Sequence, residues 1–243
     1  MWNTKWKGAC AECIGSLHIK QKLPMQDSHY LFLSKKCFIA AVSDGLGSKA
    51  HSDFGSKTAC WLFVKLAKEW ISRQDKSPED FSSFFVKNWI CEIQKGSFDI
   101  IDCSATFLGA VYHNSTLYLF QLGDGMISCI FDDESKNTVM TDAKDESFSN
   151  MTKSLRYEVL PDDWIIRTLP AEDLKSVFLC SDGISDDLQK GADVTFVSEL
   201  TEQYLSKSSN KIKQDMKNWI SHWPVPRHSD DKTAVFVCRK NRA

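Results

Sequence analysis

Four short motifs in this chain place a carboxylate at the end of an apolar run: Ser43-Asp44-Gly45, Gly123-Asp124-Gly125, Ser181-Asp182-Gly183 and Ser229-Asp230-Asp231. Asp and Gly are ordinary residues of turns between strands, where they supply local hydrogen bonds and positive φ, so any one motif alone describes a turn. Read together, the four put carboxylates at strand ends that could converge on one edge of a sheet. An all-oxygen ligand set of that kind suits Mg²⁺ or Mn²⁺. Carboxylates gathered in one cleft also repel one another unless a cation neutralises them.

The elements that must position these groups are readable from periodicity. From Tyr30 to Val42 two apolar runs flank a polar Ser34-Lys35-Lys36 turn, predicting a hairpin that ends at Ser43-Asp44-Gly45. Beyond it, Ser52 or Asp53 can cap a helix whose Ala59, Leu62, Phe63, Leu66, Ala67 and Trp70 recur at helical spacing. Ser77-Pro78-Glu79-Asp80 predicts a second helix, with Phe81, Phe84, Phe85, Trp89 and Ile93 as its buried stripe.

Strands are expected from Ser104 to Val111, from Thr116 to Leu122 and over Met126–Phe131, as an antiparallel meander. The polar, weakly periodic segment 132–163 reads as a long loop or flap carrying short elements. A buried strand at Ser176–Cys180, helical patterns at Val194–Leu205 and Ile212–Ile220, and a last strand at Thr233–Cys238 complete the chain. Paired helices between runs of antiparallel strands predict an α+β fold, with two strand layers and helices outside, and one domain over residues 1–243.

Composition narrows the function classes. The 30 basic and 32 acidic residues nearly cancel, so no global field would gather nucleic acid or an anionic membrane. Of nine cysteines, Cys37, Cys60, Cys103, Cys129, Cys180 and Cys238 sit in apolar runs and read as small hydrophobes. Cys10 and Cys13 form one C-x-x-C without a second ligand pair, which favours reduced thiols over a zinc or redox site. With no apolar run of membrane-spanning length, the expected setting is a reducing cytoplasm.

The ordered set Gln26-Asp27, Asp44-Gly45, Ser104-Ala105-Thr106, Gly123-Asp124-Gly125, Ser181-Asp182-Gly183 and Asp230-Asp231-Lys232-Thr233 resembles the metal-dependent protein phosphatases of type 2C. Gly15-Ser16-Leu17-His18, Pro24-Met25-Gln26-Asp27 and the stretch 45–59 resemble a compact, mostly bacterial branch of that family. The likeness spans almost the whole chain.

That resemblance implies a four-layer α-β-β-α sandwich with a metal centre at one end. It also implies hydrolysis of phosphoserine or phosphothreonine on a protein partner, itself the target of a serine/threonine kinase. Two divalent cations, Mn²⁺ or Mg²⁺, would hold a bridging hydroxide that attacks phosphorus, so that no covalent phosphoenzyme forms. Carried over by position, Asp44 would bridge both cations, the Gly45 carbonyl would ligate one, and Asp182 and Asp230 the other. Asp124 with Asp182 would form a third, weaker metal site, and Asp27 would orient water. Lys22 stands where the family's phosphate-binding arginine falls and His18 belongs to the branch signature, each a phosphate-gripping candidate beside the reading of solvated surface.

Two departures bear on the leaving-group proton. Gln26 occupies a place often filled by Glu, and Leu46 stands where many eukaryotic relatives carry a histidine. His29, His51, His113, His222 and His228 show no ligand-like spacing and read as surface or packing residues. A monomer is expected. The alternatives from other classes are a catalytically silent binding module on the same fold and a phosphatase of small phosphoesters.

Overall fold

A computed structural model describes residues 5–73, 75–142, 153–189, 191–225 and 229–240. Among the described residues ten strands form two five-stranded sheets, antiparallel throughout. The first contains β1 (Trp6–Cys13), β6 (Met126–Phe131), β7 (Thr138–Thr141), β9 (Leu174–Cys180) and β10 (Lys232–Arg239), in the order β1-β10-β9-β6-β7. The second contains β2 (Ser28–Leu33), β3 (Cys37–Ser43), β4 (Phe107–His113), β5 (Thr116–Leu122) and β8 (Ile165–Pro170), in the order β2-β3-β4-β5-β8. The helices are α1 (Ser16–Gln21), α2 (Ser52–Arg73), α3 (Pro78–Lys95), α4 (Asp182–Ser185), α5 (Asp193–Leu205) and α6 (Ser209–Ser221).

Alternation along the strands sends side chains to two cores. From β3, Phe38, Ala40 and Val42 point between the sheets to meet Trp6, Leu108, Val177 and Val235, while Ile39 and Ala41 point outward beneath α2. Beneath α2 and α3 lies an aromatic layer centred on Phe63, whose ring contacts Phe81, Phe85, Phe107 and Phe120 at centroid distances of 4.8–5.6 Å. Gly109 of β4 leaves room for that ring, since a Cβ there would sit 2.7 Å from it. Across the molecule, Val197 and Tyr204 of α5 and Ile212, Met216 and Ile220 of α6 cover Phe178, Phe236 and Cys238 of the first sheet. The result is the expected α-β-β-α sandwich.

Helix α3 starts as its sequence predicts: the Ser77 hydroxyl accepts from the Asp80 amide at 3.0 Å and Pro78 opens the first turn. Phe84 departs from the expected buried stripe. It is 39% exposed, with the Lys76 ammonium 5.2 Å from its ring. Phe81, Phe85, Trp89 and Ile93 fill the buried face, and one residue of helical rotation, about 100°, turns Phe84 away from it. Ser52 begins α2, but its hydroxyl turns back to the Lys49 carbonyl. All six cysteines read as small hydrophobes are buried, and all nine are free.

Of the segment expected to be a flap, 132–163, residues 143–152 lie outside the described residues. Its described flanks carry β7, which extends the first sheet beside β6, and short 3₁₀ turns at Glu134–Lys136 and Pro161–Asp163. No helix among the described residues is long and apolar enough to cross a membrane.

Candidate metal centre

Asp44 leaves the end of β3 held by the segment 104–106. The Asp44 amide donates to Thr106 Oγ1 at 3.1 Å, the Thr106 amide donates to the Asp44 carbonyl at 2.7 Å, and the Ser43 hydroxyl donates to the Thr106 carbonyl at 2.6 Å. The Gly45 amide then donates to the Gln26 carbonyl at 3.1 Å and the Leu46 amide to the Ser104 carbonyl at 3.0 Å. Ser104-Ala105-Thr106 is thus a backbone clamp that fixes where the Asp44 carboxylate points.

Asp124 occupies a turn between β5 and β6 whose flanking residues, Gly123 and Gly125, have φ of +87° and +94°. Only glycine adopts such angles without strain, and a Cβ at Gly123 would collide with the Lys153 carbonyl. Asp182 opens α4 directly after β9. The preceding Ser181 exchanges backbone and side-chain bonds with Thr233, both at 3.0 Å, tying β9 to the start of β10. Its hydroxyl donates onward to Asp27 Oδ2 at 2.7 Å. Asp230 sits two residues before β10.

These strand ends bring Asp44, Asp124 and Asp182 together: each offers a carboxylate oxygen, and all three oxygens lie within 4.8 Å of one another. Asp230 lies close enough for its charge to act on both Asp44 and Asp182. Burial is the main force raising the Asp44 carboxyl well above the usual range, with the charges of Asp27, Asp182 and Asp230 adding to it. Burial likewise pushes Asp182 up to about 6, assisted by Asp124, Asp230 and Asp186. Asp27, also buried, is pushed up to about 7 even though its hydrogen bonds to Asp44 and Ser181 pull the other way. The charges of Asp27 and Asp44 act on one another, and burial favours the protonated form of each.

Such a cluster is unfavourable in the ionised state without positive charge, and its donors are carboxylate oxygens. That donor chemistry fits a hard divalent cation. Two further buried acceptors, Gln26 Oε1 and Asp27 Oδ1, have no hydrogen-bond donor. They point to polar company, water or a cation's water shell, at this end of the sandwich.

The two phosphate-gripping candidates lie in different surroundings. His18 is buried on α1, with Nδ1 2.9 Å from Asp231 Oδ2. Lys22 is exposed at the C-terminal end of α1 in the left-handed region, φ +57°.

Asp231 is a buried neighbour of the site whose contacts residue spacing does not reveal. It is 2% exposed and accepts from the Gly15 amide at 2.6 Å, the Gln26 amide at 2.7 Å and His18. One carboxylate therefore ties α1 and the Gln26-Asp27 segment to the residue after Asp230. The one available signal is its place inside Asp230-Asp231-Lys232-Thr233. Among the other histidines, His29 meets Glu12 at 3.2 Å and His51 packs against Phe98, while His228 lies outside the described residues.

Comparison with known proteins agrees with this fold. Residues 14–221 match the protein phosphatase 2C family. The chain belongs to that family. No curated protein matches. Among solved structures, RsbX in complex with magnesium superposes with a TM-score of 0.60 at 13% identity, covering 95% of this chain and 94% of that one. The catalytic domain of the serine/threonine phosphatase PstP with two manganese ions gives 0.60 at 14% identity, with coverage of 97% and 99%. The serine/threonine phosphatase 2C of Toxoplasma gondii gives 0.65 at 13% identity, covering 99% and 96%.

Proposed function

We propose that this protein is a metal-dependent phosphatase that hydrolyses phosphoserine and phosphothreonine on protein substrates. The observation that carries the reading is the convergence of Asp44, Asp124 and Asp182 within 4.8 Å at the strand ends, in a chain of this family. Asp44, the Gly45 carbonyl, Asp182 and Asp230 would hold two divalent cations, Mn²⁺ or Mg²⁺, and Asp124 would contribute to a third site. Bound there, the cations would supply an activated water and neutralise charge on the phosphoryl oxygens.

The chain's own residues then do three things. The clamp from Thr106 and Ser104 holds Asp44 and Gly45 in place without reorganisation. Asp27, oriented by Ser181, presents a buried oxygen that would align the attacking water and take up its proton. Lys22 would draw the phosphate as an exposed point charge, and His18, through Asp231, would hold α1 so that Lys22 stays at the rim. His18 is thus better suited to positioning than to direct contact with phosphate.

The wider reading is a single domain over 1–243, monomeric and cytoplasmic, opposed to a serine/threonine kinase. The test is hydrolysis of an aryl phosphate and a phosphothreonine peptide by wild type and Asp44→Ala, with Mn²⁺ and with chelator. Turnover should require Mn²⁺ and fall by roughly 10²–10³-fold in the variant, as when a preorganised electrostatic group is removed. Wild type inactive on both substrates in excess Mn²⁺ would overturn the reading. Cleavage of the aryl phosphate but of no phosphopeptide would redirect it to small phosphoesters.

A further inference from the structure

The terminal strands of the two sheets, β1 and β2, lie side by side on one flank of the sandwich, and α6 runs along β1. Between them is an open groove of about 840 Å³. Its walls include Cys10 and Glu12 of β1, Tyr30 and Leu31 of β2, and Lys213 and Lys217 of α6.

The direction of the groove follows from contacts at its two ends. At one end the Gly8 amide donates to Ser209 Oγ at 3.4 Å; towards the other, the Lys217 charge acts on Glu12. From Ser209 to Lys217 a helix rises about 12 Å, and from Gly8 to Glu12 a strand rises about 13 Å. The helix therefore tracks the strand in register, setting its exposed lysines at successive points along the groove. The Glu12 end is the catalytic end, since His29 follows Asp27 by two residues and Cys13 pairs with Lys232 beside Asp231.

The groove is positively charged. Lys213 and Lys217 are exposed on one wall, and the groove's carboxylate, Glu12, is held by His29 at 3.2 Å. Burial works against the charged form of His29, but the Cys10 thiol and the Glu12 carboxylate beside it push the imidazole up to about 9. Tyr30, 40% exposed, and Leu31 give the opposite wall an apolar surface. β1 offers the outer edge of a sheet, a surface that extended segments use for main-chain hydrogen bonds.

Resting on the phosphatase reading above, we infer that this groove seats an extended acidic segment of the substrate, next to the phosphorylated residue that enters the metal centre. The acidic side chains would lie a few residues from the phosphorylated one, on the side of the segment that runs along the groove away from the metal centre. Charge complementarity with the two exposed lysines selects Asp and Glu there, and the effect weakens with salt.

Two measurements test the inference together. The first is kcat/KM on phosphothreonine peptides with acidic, neutral or basic residues at that distance, for wild type and Lys213→Glu/Lys217→Glu, with an aryl phosphate as control. Wild type should prefer the acidic peptide by about tenfold through KM, and the double variant should lose that preference with aryl phosphate turnover unchanged. The second is fluorescence anisotropy of a labelled, unphosphorylated acidic peptide, which needs no turnover. It should bind wild type in low salt and not the double variant.

Peptide binding without hydrolysis would sink the phosphatase reading and keep the groove. Hydrolysis with no acidic preference, or with a preference that survives the double substitution, would overturn the groove. So would a single-stranded oligonucleotide that binds the same lysines more tightly than the peptide.

Discussion

The aromatic layer beneath α2 and the acidic mouth of the sandwich are both built from β3, and they handle burial in opposite ways. Ile39 and Ala41 are sealed by Phe63 and its ring neighbours, a region where every buried group gains by leaving water. A few residues further, Asp44 is crowded by Asp27, Asp124 and Asp182, each carboxylate raising the cost of ionising the next. The aromatic layer stabilises the fold and holds the strand rigid; the mouth draws on that rigidity to keep charges where they would not stay by themselves. If this contrast holds, substitutions at the two places should have opposite signs in metal-free protein, and only one should depend on metal.

The largest effect belongs to the aromatic layer. Phe63→Ala removes a buried ring from contact with four others and should cost about 3–5 kcal/mol in urea unfolding, the same with and without Mn²⁺. A loss well below that range would show the layer collapsing around the gap, making it more plastic than its packing suggests. At the mouth, Asp44→Asn should instead stabilise metal-free protein by about 1 kcal/mol, the scale of a single substitution that relieves repulsion. The same variant should gain little from Mn²⁺, whereas wild type gains markedly. Destabilisation of metal-free protein by Asp44→Asn would mean that the contacts of the Asp44 carboxyl outweigh the repulsion.

Residue spacing reveals these two regions unequally. Strands β5 and β6 and helix α3 are legible because their alternation, turns and Ser77-Pro78 cap are local signals, and the acidic mouth is legible because its carboxylates share one strand-end pattern. The first strand is not. Trp6–Cys13 is rich in small residues and includes Lys7, a charge that is buried only because Nζ donates to the Leu205 and Lys207 carbonyls, both at 2.6 Å. Those acceptors come from the end of α5, about 200 residues away in sequence, and no local pattern announces them. Asp231 is hidden for the same reason, since its donors Gly15, His18 and Gln26 meet it only in the folded chain. Phe84 fails in the other direction: it is apolar and near the right spacing, yet the helix turns it to solvent.

The pH dependence sharpens the contrast further. Asp182 at about 6 and Asp27 at about 7 both lie above the ordinary aspartate value of 3.8, so the folded state binds protons more tightly than the unfolded one. Their contribution to stability is complete below about pH 4 and is lost as pH rises through 6 and 7. Thermal melts of chelated protein should therefore show this contribution declining between pH 5 and 7.5, and Mn²⁺ should raise the melting temperature more at pH 7.5 than at pH 5. Phe63→Ala should shift both curves down without changing their slopes. Melting temperatures of the chelated protein that rise steadily with pH over that interval would remove the buried-carboxylate account of the mouth.

The smallest effect tests whether the aromatic layer is isolated from the metal. Ser77 caps α3 by accepting from the Asp80 amide, and its hydroxyl also donates to Asp80 Oδ2, both at 3.0 Å. The cap is exposed, and Phe81, Phe85 and Trp89 anchor the helix beneath it, so Ser77→Ala should cost only about 0.5–1 kcal/mol. Because α3 packs on α2, β4 and β5 through the aromatic layer, that cost should be equal in chelator and in Mn²⁺. A cost that grew when metal was added would show that the outer helix layer and the acidic mouth move together, with β3 and β4 carrying the coupling between them.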